Sequence, residues 1–315
     1  MTNWVETERD ADAWAQLWDG HPFPLQQSAI YGDALVAFGA RPRCLEWGRD
    51  DGAPRACVQV VERKAFGFFT AAIAFWGPHW RGDISEDEKF VALKALSRRY
   101  PKIKARFLSL MPHASETDEE NSRLMRRLGL RRTITGYGTV WLDLGPDLET
   151  LRAQLKGKWR NALVAAEGSA LEVREGGRKP HQYAWLIEKE GAQRLDVRYS
   201  GLPTEFIDAW AFLSTTTKDH SIFALAAMAE GKRVAGQLYL LHGNTATYMI
   251  GWNGDAGRRY SAHNLLTWHA VTALKDRGLS YIDMGGLNTE PDGAGIARFK
   301  LGLGTAPYIY AGTYV

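Results

Sequence analysis

The stretch from Thr245 to Met284, TATYMIGWNGDAGRRYSAHNLLTWHAVTALKDRGLSYIDM, changes its secondary-structure signal along its length. Residues 245–252 are rich in β-branched and aromatic side chains, which favours a strand. After a turn rich in glycine and arginine, apolar residues recur at helical spacing over 262–277. A second short strand is predicted at 279–284. The predicted order is therefore strand, turn, helix, short strand.

The next residues, Tyr281 to Gly304 (YIDMGGLNTEPDGAGIARFKLGLG), are punctuated by glycine. An apolar run ends in Asp283, two glycines and a polar loop follow, and Phe299-Lys300 stands shortly before two more glycines. The polar residues of the loop are Asn288, Glu290 and Asp292. Glycine lets the backbone approach a ligand closely, and loops on a rigid scaffold often carry binding and catalytic groups. The pattern indicates a site, and the alternative is a strand, a surface loop and a final hairpin.

The two halves of the chain show the same order of predicted elements, which is antiparallel strands, a helix and another strand. In the first half, strands are predicted at 43–47, 55–62, 68–75 and 105–110, and a helix at 85–100. In the second half, strands at 221–230 and 232–242 precede the stretch quoted first. This order predicts an α+β fold made by tandem duplication, with mixed, mostly antiparallel sheets flanked by helices. The halves share no visible sequence identity, so the duplication is inferred from element order alone.

Composition and charge exclude several classes of protein. The 315 residues include 39 basic and 36 acidic residues, a net charge of +3, which favours neither a nucleic-acid coat nor an acidic tail. Cys44 and Cys57 are the only cysteines, too few for a disulfide framework or a cysteine zinc site. The N-terminus has acidic residues where a signal peptide needs a basic start, so we expect a cytoplasmic protein.

The longest apolar stretch, Phe66 to Trp76, is too short for a membrane-spanning helix, which needs ~20 residues. It predicts one or two buried strands, and the alternative is an aromatic-rich surface that contacts a membrane-bound substrate. The sequence also has no Gly-x-Ser-x-Gly elbow, Walker loop or His-Glu-x-x-His motif. His263 and His269 are too far apart along one helix to share a metal ion, so we expect no metal site.

The segment quoted first resembles GNAT acyltransferases, in which a loop of the type Arg/Gln-x-x-Gly-x-Gly/Ala precedes the helix. There, backbone N–H groups and the helix N-terminus hold the pyrophosphate of coenzyme A. Here the run Arg258 to His263 stands at that place, with Ser261 and His263 where glycine and a small residue are wanted. We expect the histidine to obstruct a pyrophosphate, so the resemblance implies the fold without the coenzyme A site.

A GNAT-like shape with such a loop resembles the FemABX family of peptidyltransferases. These enzymes have two GNAT-like domains and move an amino acid from an aminoacyl-tRNA to an amine of a peptidoglycan precursor. The matching residues are Leu25-Gln26-Gln27-Ser28 with Tyr31, Lys158-Trp159-Arg160-Asn161 with Ala165 and Ala166, Leu265-Leu266 with Trp268 and Ala270, Gly278, Tyr281 to Gly286, and Phe299 to Gly304. They cover nearly the whole chain.

The resemblance implies two tandem domains with the acyl-CoA N-acyltransferase fold. The first is residues 1–145, completed by the returning segment 305–315, and the second is residues 146–304. The chain has no charged heptad run that could form the coiled-coil arm of some members, so it resembles the compact ones. Val36 stands where some members carry a lysine that reaches substrate phosphates, which leaves the acceptor open.

The resemblance also implies site residues. Lys300 is expected near the ester that is attacked, where a fixed cation stabilises the oxyanion of a tetrahedral intermediate. Phe299 is expected to shape the pocket around the acceptor. Lys158 and Arg160 are expected to bind the acidic precursor through its diphosphate.

Three further residues are candidates for contact with substrate. Tyr248 and Tyr260 are candidate phosphate or peptide contacts. Asp283 is expected to brace the Gly285-Gly286 turn more than to act as a base. An acid from the loop 288–292 could serve as the general base, or the substrate could supply its own.

The predicted function is an aminoacyltransferase that forms an amide from an aminoacyl-tRNA ester and an amine of a peptidoglycan precursor or other acceptor. We expect a monomer with no bound cofactor, aminoacyl-tRNA being a co-substrate, and peripheral contact with a membrane-bound substrate as an option. One alternative is an N-acyltransferase that uses acetyl-coenzyme A or an acyl carrier. A third hypothesis, outside the enzymes, is a peptide- or RNA-binding GNAT scaffold.

Overall fold

A computed structural model describes residues 3–8, 10–50, 52–197, 203–218, 220–288 and 293–315. The chain forms two compact units. Unit 1 comprises Met1–Asp19, Phe23–Tyr137 and Ile309–Val315, and unit 2 comprises Gly20–Pro22 and Gly138–Tyr308. The predicted boundary after residue 145 placed 138–145 in the first domain. Those residues belong to unit 2 because the strand at Trp141–Asp143 pairs with Tyr281–Asp283.

The helices and strands are numbered along the chain. Helices α1 to α11 span Ala11–Gln16, Ala29–Val36, Glu86–Arg98, Glu119–Arg127, Leu148–Gln154, Gly157–Glu167, Pro180–Val197, Thr204–Leu213, Asp255–Arg259, Ala262–Asp276 and Ala294–Leu301. Strands β1 to β16 span Trp4–Glu6, Ala40–Asp50, Ala53–Ala65, Phe69–Phe75, His79–Trp80, Arg106–Met111, Arg132–Ile134, Gly138–Thr139, Trp141–Asp143, Glu172–Gly176, His220–Ala229, Lys232–His242, Thr245–Asn253, Tyr281–Asp283, Tyr308–Ile309 and Thr313–Tyr314. Single 3-10 turns span Leu25–Gln27, Lys102–Lys104 and Ser214–Thr216.

Unit 1 is built on a sheet in the order β1-β2-β3-β4-β6-β16-β7, with β5 beside β3. Its neighbours are antiparallel except for β4 and β6, which run parallel. Helix α3 lies between β5 and β6 along the chain. It begins with a capping box, in which Ser85 and Glu88 satisfy each other's backbone N–H groups. Leu93 and Leu96 on the buried face of α3 pack into the core of the sheet.

Unit 2 is built on a sheet in the order β10-β11-β12-β13-β14-β9. The antiparallel strands β11, β12 and β13 and the helix α10 follow the sequence prediction closely. β13 and β14 are parallel, and their pairing covers Thr245–Thr247 against Tyr281–Asp283, although β13 continues to Asn253. The register of β12 and β13 shifts between Leu238 and Tyr239, which is a β-bulge beside the point where the parallel pairing ends.

The structure excludes the alternative interpretation of a final hairpin near the C-terminus. Residues Ala294–Leu301 form helix α11 rather than part of a final hairpin. Gly302 is the C-cap of this helix, because its backbone N–H bonds to carbonyls of the last turn. Gly304 follows with φ of +89°, a left-handed conformation that favours glycine. The two glycines therefore end a helix.

The sequence-based fold class is confirmed, since both units combine mixed, mostly antiparallel sheets with flanking helices. The short strands β8 and β15 pair in a separate two-stranded sheet. None of the helices in the described part of the chain is long and apolar enough to cross a membrane.

Candidate active site

Lys300 is a buried cation in the last turn of α11. The residue is only 6% exposed. Its Nζ donates a hydrogen bond to the carbonyl oxygen of Gly286 at 2.8 Å. Lysine is rarely buried unless a partner compensates its charge. Here the acceptor is a backbone carbonyl of the glycine turn after β14, so helix α11 and that turn hold each other in place.

Asp283 ends β14 and braces the same turn. Its Oδ1 accepts from the backbone N–H of Gly285 at 2.9 Å and from the Thr139 hydroxyl at 2.5 Å. The Thr139 hydroxyl also lies 3.1 Å from the Gly285 carbonyl oxygen. Gly285 has φ of +68°, and a Cβ there would lie 3.3 Å from the carbonyl oxygen of Tyr248. The turn therefore needs both a glycine and the Asp283 carboxylate.

Burial shifts the pKa values of Lys300 and Asp283 in the directions that favour their neutral forms. Desolvation lowers the pKa of Lys300 to about 8, and the nearby Asp283 carboxylate opposes that shift. Desolvation raises the pKa of Asp283, opposed by the hydrogen bonds from Thr139 and Gly285 and by the charge of Lys300. Displaced pKa values in a neighbouring acid and base are typical of functional sites.

Tyr248 lies on β13 directly after the paired part of the strand. The Lys300 ammonium is 5.6 Å from the centre of its ring, within range of a cation–π contact. The Tyr248 hydroxyl reaches back over Gly251, where a Cβ would lie within 1.7 Å of it. Gly251 is thus required for this orientation of the tyrosine. Lys300, Asp283 and Tyr248, three predicted site residues, come together at one place.

Phe299, the residue before Lys300, packs away from this cluster. Its ring centre is 5.9 Å from that of Trp159 on α6 and 6.0 Å from that of His263 on α10. Trp159 also lies against Gly302, where a Cβ would be 2.4 Å from the indole. The Nε1 of Trp159 is buried and has no hydrogen-bond partner among the described residues. Phe299 therefore joins α11 to α6 and α10.

The start of α10 lies where GNAT enzymes bind a pyrophosphate. The His263 imidazole points into the sheet, and its Nε2–H donates to the carbonyl of Trp252 at 2.9 Å. Burial lowers the pKa of His263, so it is a neutral core histidine. The imidazole is held by β13 through the bond to Trp252, and the expected loss of a coenzyme A site stays a prediction. Ser261, the N-cap, has left-handed φ of 54°, and its side chain makes no capping hydrogen bond.

The other predicted substrate-binding residues lie elsewhere on unit 2. Lys158 and Arg160 are exposed in the first turn of α6, and Tyr260 is exposed at the end of α9. In the described part of the chain, the hydrogen bond and the cation–π contact of the Lys300 ammonium are with Gly286 and Tyr248 and do not involve these three residues. Of the predicted acidic loop, only Asn288 is described, and Glu290 and Asp292 lie outside the described residues.

An open cavity of about 350 Å³ lies beside α11, and sequence reasoning missed it. Lys156, Ala294, Ala297, Arg298 and Leu301 line it. Lys156 is the N-cap of α6, whose first turn has no side-chain cap. Two cations and a helix N-terminus favour an anion here. No local signal in the sequence indicates this cavity, because Lys156 and Arg298 lie far apart along the chain.

Comparisons with known proteins identify the fold. Residues 150–308 match the family model described as Acetyltransferase (GNAT) domain. The crystal structure of FemX aligns with a TM-score of 0.79 at 12% identity, over 99% of this chain and 96% of FemX. A tandem GNAT protein from the clavulanic acid biosynthesis pathway aligns with a TM-score of 0.56 at 13% identity, over 99% of this chain and 97% of that one. A conserved protein of unknown function from Bacteroides thetaiotaomicron has a TM-score of 0.58 at 12% identity, over 100% and 98%.

Identities of this size show a shared fold, and no curated protein sequence matches the chain. The predicted resemblance to the tandem GNAT fold of the FemABX type is confirmed at that level. The family model covers half of the chain, from α5 to β15. The chain belongs to the GNAT acetyltransferase domain family, whose fold it carries in tandem.

Proposed function

We propose that this protein is an aminoacyltransferase that forms an amide bond between an amino acid, activated as an aminoacyl-tRNA ester, and an amine. A peptidoglycan-like precursor or another peptide or small molecule supplies the amine. The observation that carries the proposal is the Lys300 ammonium, buried at the end of the paired part of β13 and β14 in an acyltransferase fold. The substrate classes come from the FemABX resemblance.

The proposed chemistry uses Lys300 as an electrostatic catalyst. The amine attacks the ester carbon, and negative charge develops on the carbonyl oxygen. A cation fixed in a water-poor site stabilises that charge without reorganising during the reaction. The ester C–O bond then breaks, and the departing ribose hydroxyl takes a proton as the amine loses one. With a pKa of about 8, Lys300 is mostly protonated at neutral pH and can play this part.

The neighbours of Lys300 have proposed positioning roles. Asp283 and Thr139 fix the glycine turn whose carbonyl accepts from Nζ. Tyr248 faces the ammonium with its ring and contacts the substrate beside it. Phe299, braced by Trp159, shapes the pocket wall. These residues hold reacting groups in line, which lowers the barrier by the entropy of alignment.

The cavity beside α11 is proposed to bind the anionic part of a substrate. Lys156 and Arg298 contribute cations to it, and the uncapped N-terminus of α6 adds backbone N–H groups. Lys158 and Arg160 in the same first turn extend the basic surface. A diphosphate or a tRNA phosphate fits this donor set.

Donor consumption tests the proposal directly. The protein is incubated with a mixed pool of charged tRNAs and a panel of amines, and the amino acid released from tRNA is identified together with its amide product. We expect one amino acid to be discharged selectively and recovered as an amide. Failure to discharge any aminoacyl-tRNA, together with turnover of acetyl-coenzyme A in the same panel, would reject aminoacyl transfer.

A second candidate is an N-acyltransferase that uses coenzyme A thioesters. The start of α10 favours it, because the Ser261 side chain does not cap the helix and the His263 imidazole is turned inward. The N–H groups of this helix would hold the pyrophosphate, and the thioester would supply the activated acyl group. Isothermal titration with acetyl-coenzyme A separates the two candidates, since micromolar binding favours this one. A binding scaffold without catalysis predicts that neither donor is consumed.

A further inference from the structure

The tip of the hairpin between β3 and β4 exposes two phenylalanines. Phe66 is 89% and Phe68 is 74% exposed, whereas most large apolar side chains of unit 1 are buried. A single exposed apolar residue needs no explanation, but adjacent exposed aromatic rings indicate an interaction site. Contact of these rings with water is unfavourable, and a partner that covers them would remove it.

A second segment brings a third apolar side chain to the same end of the sheet. Ile103 is 95% exposed in the 3-10 turn that precedes β6. That turn lies beside the start of β4, since Thr70 N–H donates to the Ala105 carbonyl at 2.9 Å. Phe69 and Phe107, which follow the two turns, stack with ring centres 4.7 Å apart. The hairpin tip and the 3-10 turn therefore form one edge.

The backbone conformation at the hairpin tip is unfavourable for a phenylalanine. Phe66 has φ of 51° and Gly67 has φ of 77°, both left-handed. The loop between the paired residues Ala65 and Phe69 has three residues, 66–68. Positive φ favours glycine, asparagine and aspartate, and a bulky side chain there is an outlier. A polar residue would suit both the turn and its exposure. An outlier of this kind supports a functional hypothesis.

The charge around the exposed apolar residues has one sign. Lys64 beside the hairpin tip and Lys102 and Lys104 on either side of Ile103 are exposed. Residues 63–70 and 101–107 contain no aspartate or glutamate. Lysines flanking apolar side chains can keep their ammonium groups at a polar interface while the apolar groups enter a hydrophobic phase. We call Lys64, Phe66, Phe68, Lys102, Ile103 and Lys104 the basic apolar edge.

We infer that the basic apolar edge binds a membrane surface rich in anionic lipids. The phenylalanines and the isoleucine would enter the boundary between headgroups and acyl chains, and the lysines would contact lipid phosphates. RNA would also attract the lysines, but an aliphatic side chain offers no stacking surface to a base. The exposed isoleucine therefore favours lipid over RNA. This inference concerns unit 1 and does not depend on the proposed transferase reaction.

Vesicle flotation tests the inference with the full chain. Vesicles of phosphatidylglycerol and phosphatidylcholine are compared with vesicles of phosphatidylcholine alone. We expect binding to the anionic vesicles that weakens with salt, and a loss of at least about tenfold in the triple variant Phe66→Ser, Phe68→Ser, Ile103→Ser, since three apolar groups are removed. Lys64→Gln, Lys102→Gln and Lys104→Gln should each weaken binding by up to about fivefold.

The matched control is Phe212→Ser in α8, because Phe212 is 75% exposed but lies in unit 2. It should bind vesicles as the wild type does. Hydrogen exchange of the wild-type chain provides a readout without any variant, and vesicles should protect residues 64–69 and 102–105. Equal binding to both vesicle types, unchanged binding of the triple variant, or protection of these residues by tRNA but not by vesicles would overturn the inference.

Discussion

Lys300 carries a charge in a place where charge is costly, and its surroundings compensate only part of the cost. The Gly286 carbonyl accepts one hydrogen bond, the ring of Tyr248 faces the ammonium, and the Asp283 carboxylate acts from a distance. Burying a charge is costly unless its partners compensate it fully. A preformed cation that is short of partners can instead stabilise an anion that arrives during a reaction.

The pKa of Lys300 is the first prediction. In a chain labelled with ¹³C at the lysine ε carbons, the signal that disappears in Lys300→Met should titrate with a midpoint near 8. Asp283→Asn removes the carboxylate that raises this pKa, so the midpoint should fall further. Acyl transfer that needs the ammonium should decline as pH rises through 8. A midpoint near the usual lysine value of about 10.4 would contradict this description of the site.

The lowered pKa of Lys300 also predicts that the free energy of unfolding depends on pH. Below pH 8 the folded chain must keep a buried ammonium, and between pH 8 and 10.5 the unfolded chain binds more protons, so stability rises with pH in that window. Lys300→Met removes this cost but leaves the Asp283 carboxylate without its nearby cation and the Gly286 carbonyl without its donor. Between pH 7 and pH 10 the free energy of unfolding should therefore rise in the wild type by about 1–3 kcal/mol more than in Lys300→Met. Urea unfolding of both proteins at the two pH values measures this, and equal changes in the two proteins would contradict it.

Sequence reasoning named some residues of the candidate site and missed others for physical reasons. Lys300 and Asp283 stand in a glycine-punctuated pattern that family resemblance makes visible. Thr139 bonds to Asp283 across 144 positions, and nothing near it in the sequence indicates this. The direction of the His263 side chain could not be predicted, because it depends on the sheet beneath α10. Residue type and spacing show which groups are present, whereas packing decides where they point.

At the scale of elements, helix α11 joins the site to the rest of unit 2. Its C-terminal glycines are close to neighbouring helices, since a Cβ on Gly302 would lie 2.4 Å from Trp159 and one on Gly304 would lie 2.0 Å from the Gln154 carbonyl oxygen. The alternative interpretation of the sequence placed the same glycines in a final hairpin. A glycine that ends a helix and a glycine that turns a hairpin give the same local signal.

Gly304→Ala tests this close approach. The added Cβ clashes with backbone and the residue has φ of +89°, so we expect a loss of about 2–4 kcal/mol in the free energy of unfolding. Gly295→Ala is the matched control, because Gly295 lies in α11 with open space around it. That change should stabilise the helix by about 0.5–1 kcal/mol. Similar effects of the two substitutions would show that the contact with Gln154 is unimportant.

At the scale of the whole molecule, the chain leaves unit 1 at Tyr137 and returns to it at Ile309. The returning residues insert β16 between β6 and β7. Tyr310 stacks on Trp76 with ring centres 3.9 Å apart. The sequence predicted two tandem domains and a returning strand through family resemblance. It placed β9 in the first domain because its partner β14 lies far along the chain, beyond the reach of local pattern.

Truncation after Tyr308 tests the contribution of the returning segment. It removes β16 and the buried Tyr310, and loss of one large buried aromatic alone costs about 3–5 kcal/mol. We expect faster hydrogen exchange in β6 and β7 and a lower melting temperature. Full-length Tyr310→Phe keeps the ring stack and is the control. Unchanged exchange in β6 after truncation would show that the segment does not stabilise this sheet.

The role of Lys300 in acyl transfer is tested most directly by the rate at which the chain discharges its aminoacyl-tRNA donor to an amine. Lys300→Met is compared with Lys275→Met, another lysine of unit 2 whose Nζ donates to backbone carbonyls, those of Leu144 and Gly145. Loss of one oxyanion-stabilising group predicts a fall in kcat of about 10²–10³ for Lys300→Met and near wild-type transfer for Lys275→Met. Transfer by Lys300→Met at the wild-type rate would contradict the assignment.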